Sequence, residues 1–179
     1  MTSRRALIGA VAGLAALGGV GVGLLRRAPG ESPAWALRYP TPEGDELVLA
    51  ALRGRPLLVN FWATWCAPCV TEMPLLDRFH RAQAPDGWRV VGLAVDKEPA
   101  VRQFLAARPV AFRIGLAGAG GVEPMRVLGN PTGGLPFTIA FDATGTEVGQ
   151  RLGALDQARL DRWSASTKSG DSAKKALSG

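Results

Sequence analysis

The sequence predicts an α/β domain: a mixed central sheet with helices on both faces, preceded by a hydrophobic N-terminal helix. Three observations carry this. The run Leu57-Leu58-Val59-Asn60-Phe61-Trp62 and the stretch from Trp88 to Val95 are nearly unbroken in apolar residues, as strands buried on both faces should be. Helical segments alternate with them, the first showing its apolar residues at three- and four-residue spacing. Two later strand-like segments are joined only by Ala143-Thr144-Gly145, so short a connection that they form an antiparallel hairpin. Strands alternating with helices, then a hairpin and a helix, give a mixed sheet. With 179 residues and 47% hydrophobic content, the chain buries one good core and forms one domain.

In chain order, Pro29 to Pro33 is a linker of Pro, Gly and Ser between charged groups. Trp35–Tyr39 and Leu47–Ala51 are short strands around the turn Pro42-Glu43-Gly44-Asp45. Pro56–Ala63 holds the first buried strand. Val70, Met73, Leu76, Phe79 and His80 then mark one face of a helix from Pro68 to about Gln83. Trp88–Val95 is the second buried strand, and Glu98–Ala107 a helix ended before Pro109. Ala111–Leu116 is a strand, Gly118–Gly121 a loop and Val122–Leu128 a short helix. Phe137–Asp142 and Glu147–Leu152 form the hairpin, and Leu155–Trp163 the last helix. Residues 164–179 are Ser, Lys, Ala and Gly with one large apolar residue, and are expected to be a disordered tail. The domain therefore occupies residues 34–163, and no internal repeat is present.

Residues 1–33 form the N-terminal export segment and linker. Arg4-Arg5 precede an uncharged run from Ala6 to Leu25, which Arg26-Arg27 close. Twenty helical residues span about 30 Å, the thickness of a bilayer core. Six glycines make this run a poor helix in water and an acceptable one in lipid. Residues 6–25 are expected to anchor the chain in the inner membrane; the alternative is a cleaved signal, with secretion. Ser3-Arg4-Arg5-Ala6-Leu7-Ile8 also has twin-arginine character. Each route leads out of the cytoplasm.

The net charge of +6 is not a nucleic-acid signature once divided along the chain. Residues 1–33 carry +3, residues 34–163 only +1 and residues 164–179 +2. The folded part is nearly neutral and presents no basic face, so nucleic acid is not expected as a partner.

The two cysteines lie in one pentapeptide, Trp65-Cys66-Ala67-Pro68-Cys69. No third thiol exists for a structural bridge. Zinc wants four ligands, and His80 is the sole histidine, so no metal site is expected. Two residues between cysteines at a helix start let one thiolate attack a disulfide and the other resolve the mixed disulfide.

A strand feeding this pentapeptide into a helix, Val59-Asn60-Phe61-Trp62-Ala63-Thr64-Trp65-Cys66-Ala67-Pro68-Cys69, resembles the thioredoxin superfamily. Gly134-Leu135-Pro136-Phe137 stands where the family has its cis-proline, just before the hairpin. With the N-terminal segment, the chain looks like the TlpA/ResA-type envelope thiol:disulfide oxidoreductases over roughly residues 35–163. The resemblance implies a thioredoxin-like fold with Cys66 and Cys69 as the catalytic pair.

Physically, the motif puts Cys66 at the helix N-terminus, where unpaired N–H groups and the helix dipole favour a thiolate. Cys66 is thus the expected nucleophile and Cys69, one turn in, the resolving thiol. Pro68 fits the first helical turn, and Ala67-Pro68 brings no further donor to the thiolate, which favours a reductant over an oxidant. Trp65 is expected to cover the thiols and contact partners. Asn60 stands where thioredoxin has a buried aspartate, and an amide cannot shuttle a proton. Glu72, three residues beyond Cys69 and matching a glutamate of the ResA-like subset, is the expected replacement: partly buried, with a raised pKa. A cis Pro136 would open the backbone of Leu135 to an extended substrate segment. Phe137, where relatives often have Thr, is expected to make that groove more apolar. Asp96 and Lys97 are expected to cap the following helix, and His80 to belong to an amphipathic face.

The resulting expectation is a protein-disulfide reductase of the cell envelope or periplasm, needing no cofactor. Its substrates would be disulfide-containing envelope proteins such as apocytochromes c before haem attachment or copper-site proteins, and a membrane thiol donor would re-reduce it. The alternatives are a disulfide oxidase or isomerase of the same fold, and a copper(I)-binding module using the two thiols.

Overall fold

The computed structural model describes residues 31–83, 85 and 87–176. The expected hydrophobic helix of residues 6–25 lies outside them. Among the described residues no helix is long and apolar enough to cross a membrane.

A short antiparallel pair, β1 (Arg38–Pro40) and β2 (Glu46–Val48), comes first in the chain. β3 (Leu57–Trp62) is buried along its whole length and forms the centre of a separate five-stranded sheet. β4 (Arg89–Ala94) pairs parallel with β3, and β5 (Arg113–Leu116) parallel with β4. On the other side β6 (Phe137–Phe141) pairs antiparallel with β3, and β7 (Glu147–Leu152) antiparallel with β6. The order across the sheet is β5-β4-β3-β6-β7, with parallel strands on one side of β3 and the hairpin on the other.

Period-two alternation along β3 divides the core. Leu58 and Trp62 face a cluster with Cys69, Met73 and Leu76 of α1 (Ala67–Ala82), Val101 of α2 (Glu98–Ala107) and Leu160 and Trp163 of a C-terminal helix. Leu57, Val59 and Phe61 face the other, with Trp35, Leu47 and Met125 of α3 (Val122–Val127). The C-terminal helix is α4 (Gln157–Ala176). Helices therefore lie on both faces, three on the first and α3 with the β1–β2 pair on the second.

Gly92 shows how tightly the first face is filled. It stands beside Asn60 on one side and Ile114 on the other. A Cβ there would lie 2.7 Å from the Ile114 Cδ1 and 3.0 Å from the Trp62 indole nitrogen. Gly92→Ala is expected to cost about 1–3 kcal/mol by overpacking, read as a lower urea midpoint at unchanged slope. A midpoint equal to that of the parent would show that Ile114 and Trp62 both yield freely.

Four segments differ from the sequence expectation, the simplest being Gly118–Gly121, expected as a loop and found as a 3-10 turn. Trp35 is not in a strand: Pro33–Ala36 is a 3-10 turn capped by the Ser32 hydroxyl, which accepts the Ala34 N–H at 3.3 Å. Serine followed by proline is a helix-start signal that outweighs the apolar pattern. Likewise β2 ends at Val48, and Leu49–Leu52 form another 3-10 turn. At the C-terminus α4 continues past Trp163 to Ala176, so Ser164 extends a helix rather than opening a tail. The Ser164 hydroxyl donates to the Leu160 carbonyl at 2.9 Å and the Ser166 hydroxyl to that of Trp163 at 2.8 Å.

Candidate active site

β3 delivers the chain to the dithiol at its C-terminal end. The segment after it is tied to the end of β4, because the Thr64 N–H and hydroxyl both donate to Asp96 Oδ2, at 3.0 and 2.5 Å. The Lys97 N–H donates to the other carboxylate oxygen at 2.7 Å. Burial opposes the charge on Asp96, but these bonds outweigh it and hold the carboxyl below the usual carboxylate range. Asp96 therefore does not cap α2, whose N-cap is Lys97 with no side-chain cap bond; it braces the approach to Cys66.

Cys66 is the N-cap of α1, and its Sγ accepts the Cys69 N–H at 3.4 Å. Pro68 sits in the first turn, where its missing N–H removes nothing. No acidic residue occupies that turn, so nothing within it opposes negative charge on Cys66. The cysteines are joined as a disulfide with Cα atoms 5.3 Å apart. Cys66 retains 6% of its surface and Cys69 none, so an incoming group meets Cys66 first. Trp65 is 69% exposed and stands between two open clefts of about 660 and 680 Å³. One is lined by Ala67, Val70 and Phe104, the other by Pro40, Val95 and Leu116. It is a surface residue rather than a core aromatic.

Glu72 lies in the second turn of α1 and is only 3% exposed. The Asn60 amide nitrogen donates to its Oε1 at 2.8 Å, and the Leu155 N–H to its Oε2 at 2.6 Å. Burial raises its pKa above the ordinary carboxylate value, and the two donors only partly offset this. The same Asn60 nitrogen also donates to the Thr138 hydroxyl at 2.9 Å, across the β3–β6 pairing. Its amide oxygen is buried with no partner among the described residues.

The Leu135–Pro136 peptide is cis. Leu135 is half-buried and packs against the cluster that holds both cysteines. Phe137, by contrast, does not face a groove: it is buried in the second cluster, its ring 6.1 Å from that of Phe61. The alternation of β6 sends position 137 to the face opposite Thr138. His80 lies far along α1, where its Nδ1 accepts the Val90 N–H at 3.2 Å and burial lowers its pKa.

The arrangement also joins Thr64 of the motif string to Asp96, a pairing the sequence did not show, and uses Thr138 and Leu155, which no motif announced. Asn130 and Thr132, just ahead of Leu135, are two more. Their only sequence signal is the turn-forming run Asn130-Pro131-Thr132-Gly133-Gly134.

A disulfide-forming pair at a helix N-terminus, reached from the central strand of this sheet and accompanied by a cis-proline, defines a thioredoxin-like thiol:disulfide oxidoreductase. The chain belongs to the Redoxin family, whose model matches residues 29–168, and is of the TlpA/ResA-like kind. It is similar to the thiol-disulfide oxidoreductase ResA of Bacillus cereus, 27% identical over 121 residues, 66% of this chain and 67% of that one. The thiol:disulfide interchange protein DsbE of Pseudomonas fluorescens biotype C is 33% identical over 129 residues, 70% of this chain and 67% of the relative. Among solved structures, a thioredoxin-family thiol:disulfide interchange protein from Chlorobium tepidum TLS is 27% identical with a TM-score of 0.67, covering 76% of this chain and 96% of its own.

Proposed function

We propose that this protein is a reductant of protein disulfides outside the cytoplasm. The reduced Cys66 thiolate attacks a partner disulfide, forming a mixed disulfide and releasing one partner thiolate. The Cys69 thiolate then attacks Cys66 Sγ, closing the Cys66–Cys69 bond and releasing the second thiolate. The partner is reduced by two electrons and the dithiol oxidised by two, so the oxidised form is the product state. Glu72 takes the proton that Cys69 must lose before this second attack. Trp65, Leu135 and Pro136 receive the partner chain.

The observation that carries the reading is the asymmetry of the pair: Cys66 at the helix N-terminus with residual surface, Cys69 buried one turn in with a buried carboxyl three residues further along the same helix. Ala67-Pro68 between them adds no side-chain donor that would hold the reduced form, which favours reduction of partners over oxidation. The Ala6–Leu25 run supports placement in the envelope, with the domain tethered to the inner membrane or released after cleavage. There a membrane thiol donor restores the dithiol, and envelope proteins such as apocytochromes c or copper-site proteins are the substrates.

Redox titration of the Cys66–Cys69 couple against glutathione or dithiothreitol buffers tests the direction. A midpoint well below about −200 mV is expected of a reductant. A midpoint near about −120 mV, the range of a strong oxidant, would overturn the reading and make the protein a disulfide donor.

A further inference from the structure

We infer that Asn130 and Thr132 are positioning residues that hold the Leu135 backbone open as a pairing edge for the partner chain. The inference rests on the proposed disulfide exchange and concerns how its substrate is held.

Asn130 is buried, and all of its polar groups are engaged. Its N–H donates to the Met125 carbonyl at 2.9 Å, near the end of α3, and its own carbonyl accepts the Gly133 N–H at 3.1 Å. Its side-chain nitrogen donates to the Gly134 carbonyl at 2.8 Å, and its side-chain oxygen accepts the Thr132 hydroxyl at 3.0 Å. The Thr132 oxygen in turn accepts the Gly134 N–H at 3.3 Å. Both backbone groups of Gly134 are thus held by the Asn130–Thr132 pair. On the other side, the Pro136 carbonyl accepts the Gly153 N–H at 2.8 Å.

Leu135, between these two fixed neighbours, has no backbone hydrogen bond to another described residue. An N–H and a carbonyl on a half-buried residue, fixed from both sides, form a ready pairing edge for an extended chain. The glycines fit the same device. Gly133 has φ +66°, in the left-handed region, and a Cβ there would lie 2.9 Å from Val122. A Cβ on Gly134 would lie 3.2 Å from Leu152, so the loop seats closely between α3 and the end of β7. The ties are local to the loop and touch neither cysteine, so their work is to fix the substrate edge, not the thiol chemistry.

The test uses Thr132→Val, which keeps the shape of the side chain while removing both hydroxyl bonds, with Thr132→Ser as rescue. The full-length reduced protein is assayed with two oxidants: a cyclic disulfide peptide with extended flanks, and 5,5′-dithiobis(2-nitrobenzoate), which has no peptide backbone to pair. For Thr132→Val, KM for the peptide is expected to rise roughly three- to ten-fold with kcat near that of the parent and aromatic-disulfide exchange little changed. Thr132→Ser restores KM. A peptide N-methylated beside its cysteine is a poorer substrate for the parent, and that penalty shrinks in Thr132→Val. An equal loss with both oxidants, or an unchanged KM, overturns the inference while leaving the activity intact. A parent protein that exchanges with the aromatic disulfide and never with the peptide overturns the proposed protein-disulfide activity itself, and the edge with it.

Discussion

Replacing Cys69 with serine is expected to abolish turnover and accumulate a covalent adduct on Cys66. Cys66 keeps its place at the α1 N-cap and its residual exposure, so the first attack proceeds and the mixed disulfide forms. Serine cannot release it at any useful rate, because an alkoxide is neither accessible at neutral pH nor competent to close a disulfide. Multiple turnover should fall on the order of a thousand-fold or more, the scale on which residues acting as one catalytic unit fail. One equivalent of partner should remain attached through a bond that dithiothreitol cleaves. Because Cys69 is fully buried, serine also places a hydroxyl in an apolar site, at about 1–3 kcal/mol if it goes unbonded. Cys69→Ala separates this from the chemistry: it should trap the same adduct. The reciprocal Cys66→Ser should form none. Mass spectrometry of the non-reduced protein after mixing with a disulfide peptide reads all three. An adduct on Cys66→Ser, or steady turnover by Cys69→Ser, would reverse the assignment of the two thiols.

What the sequence made legible follows contact range. The dithiol, its place at a helix start and the proline in the first turn are local features within a few residues, and residue type alone nearly determines them. β3 and β4 were legible because strands buried on both faces have no polar alternation to confuse them. The environment of Glu72 was not. Its three-residue spacing from Cys69 put both on one helical face, but its two donors come from Asn60 in β3 and Leu155 beyond β7. The Asn60–Thr138 contact depends on the β3–β6 register, which no local pattern contains. Phe137 failed for a related reason. Position alone places the residue after the proline in the groove, whereas the pleat of β6 turns it to the opposite face. The extent of α4 is not legible in the sequence because its last turns carry almost no apolar residues, and composition alone favours a tail.

Glu72→Gln is expected to flatten the pH dependence of stability and to slow resolution through Cys69. In the folded protein burial raises the Glu72 pKa, so the native state holds this proton more tightly than the unfolded chain. The stability this provides is complete below the unfolded value near about 4.3. It is lost as pH rises through the folded pKa, at up to about 1.4 kcal/mol per pH unit. Above that pKa the parent carries a buried charge whose two donors only partly compensate its desolvation. Glutamine has nearly the same shape without the charge. Its oxygen accepts the Leu155 N–H, and its amide donates to the Asn60 oxygen once that amide turns over, using the acceptor now left without a partner. Glu72→Gln should therefore match the parent or exceed it by about 1 kcal/mol at about pH 8, with a flatter profile from about pH 4.5 upward. Urea unfolding of the oxidised proteins, in which neither cysteine titrates, measures this difference, and groups common to both cancel. Parallel profiles would show that Glu72 titrates normally. The catalytic half is read by single-turnover product release from about pH 6 to 9. Glutamine cannot accept the Cys69 proton, so release should slow roughly ten- to a hundred-fold near neutrality and recover as hydroxide replaces the carboxylate. If release is unchanged at every pH while the stability profile flattens, the buried carboxyl is a structural acid, and the base for Cys69 is solvent reaching the site past Cys66.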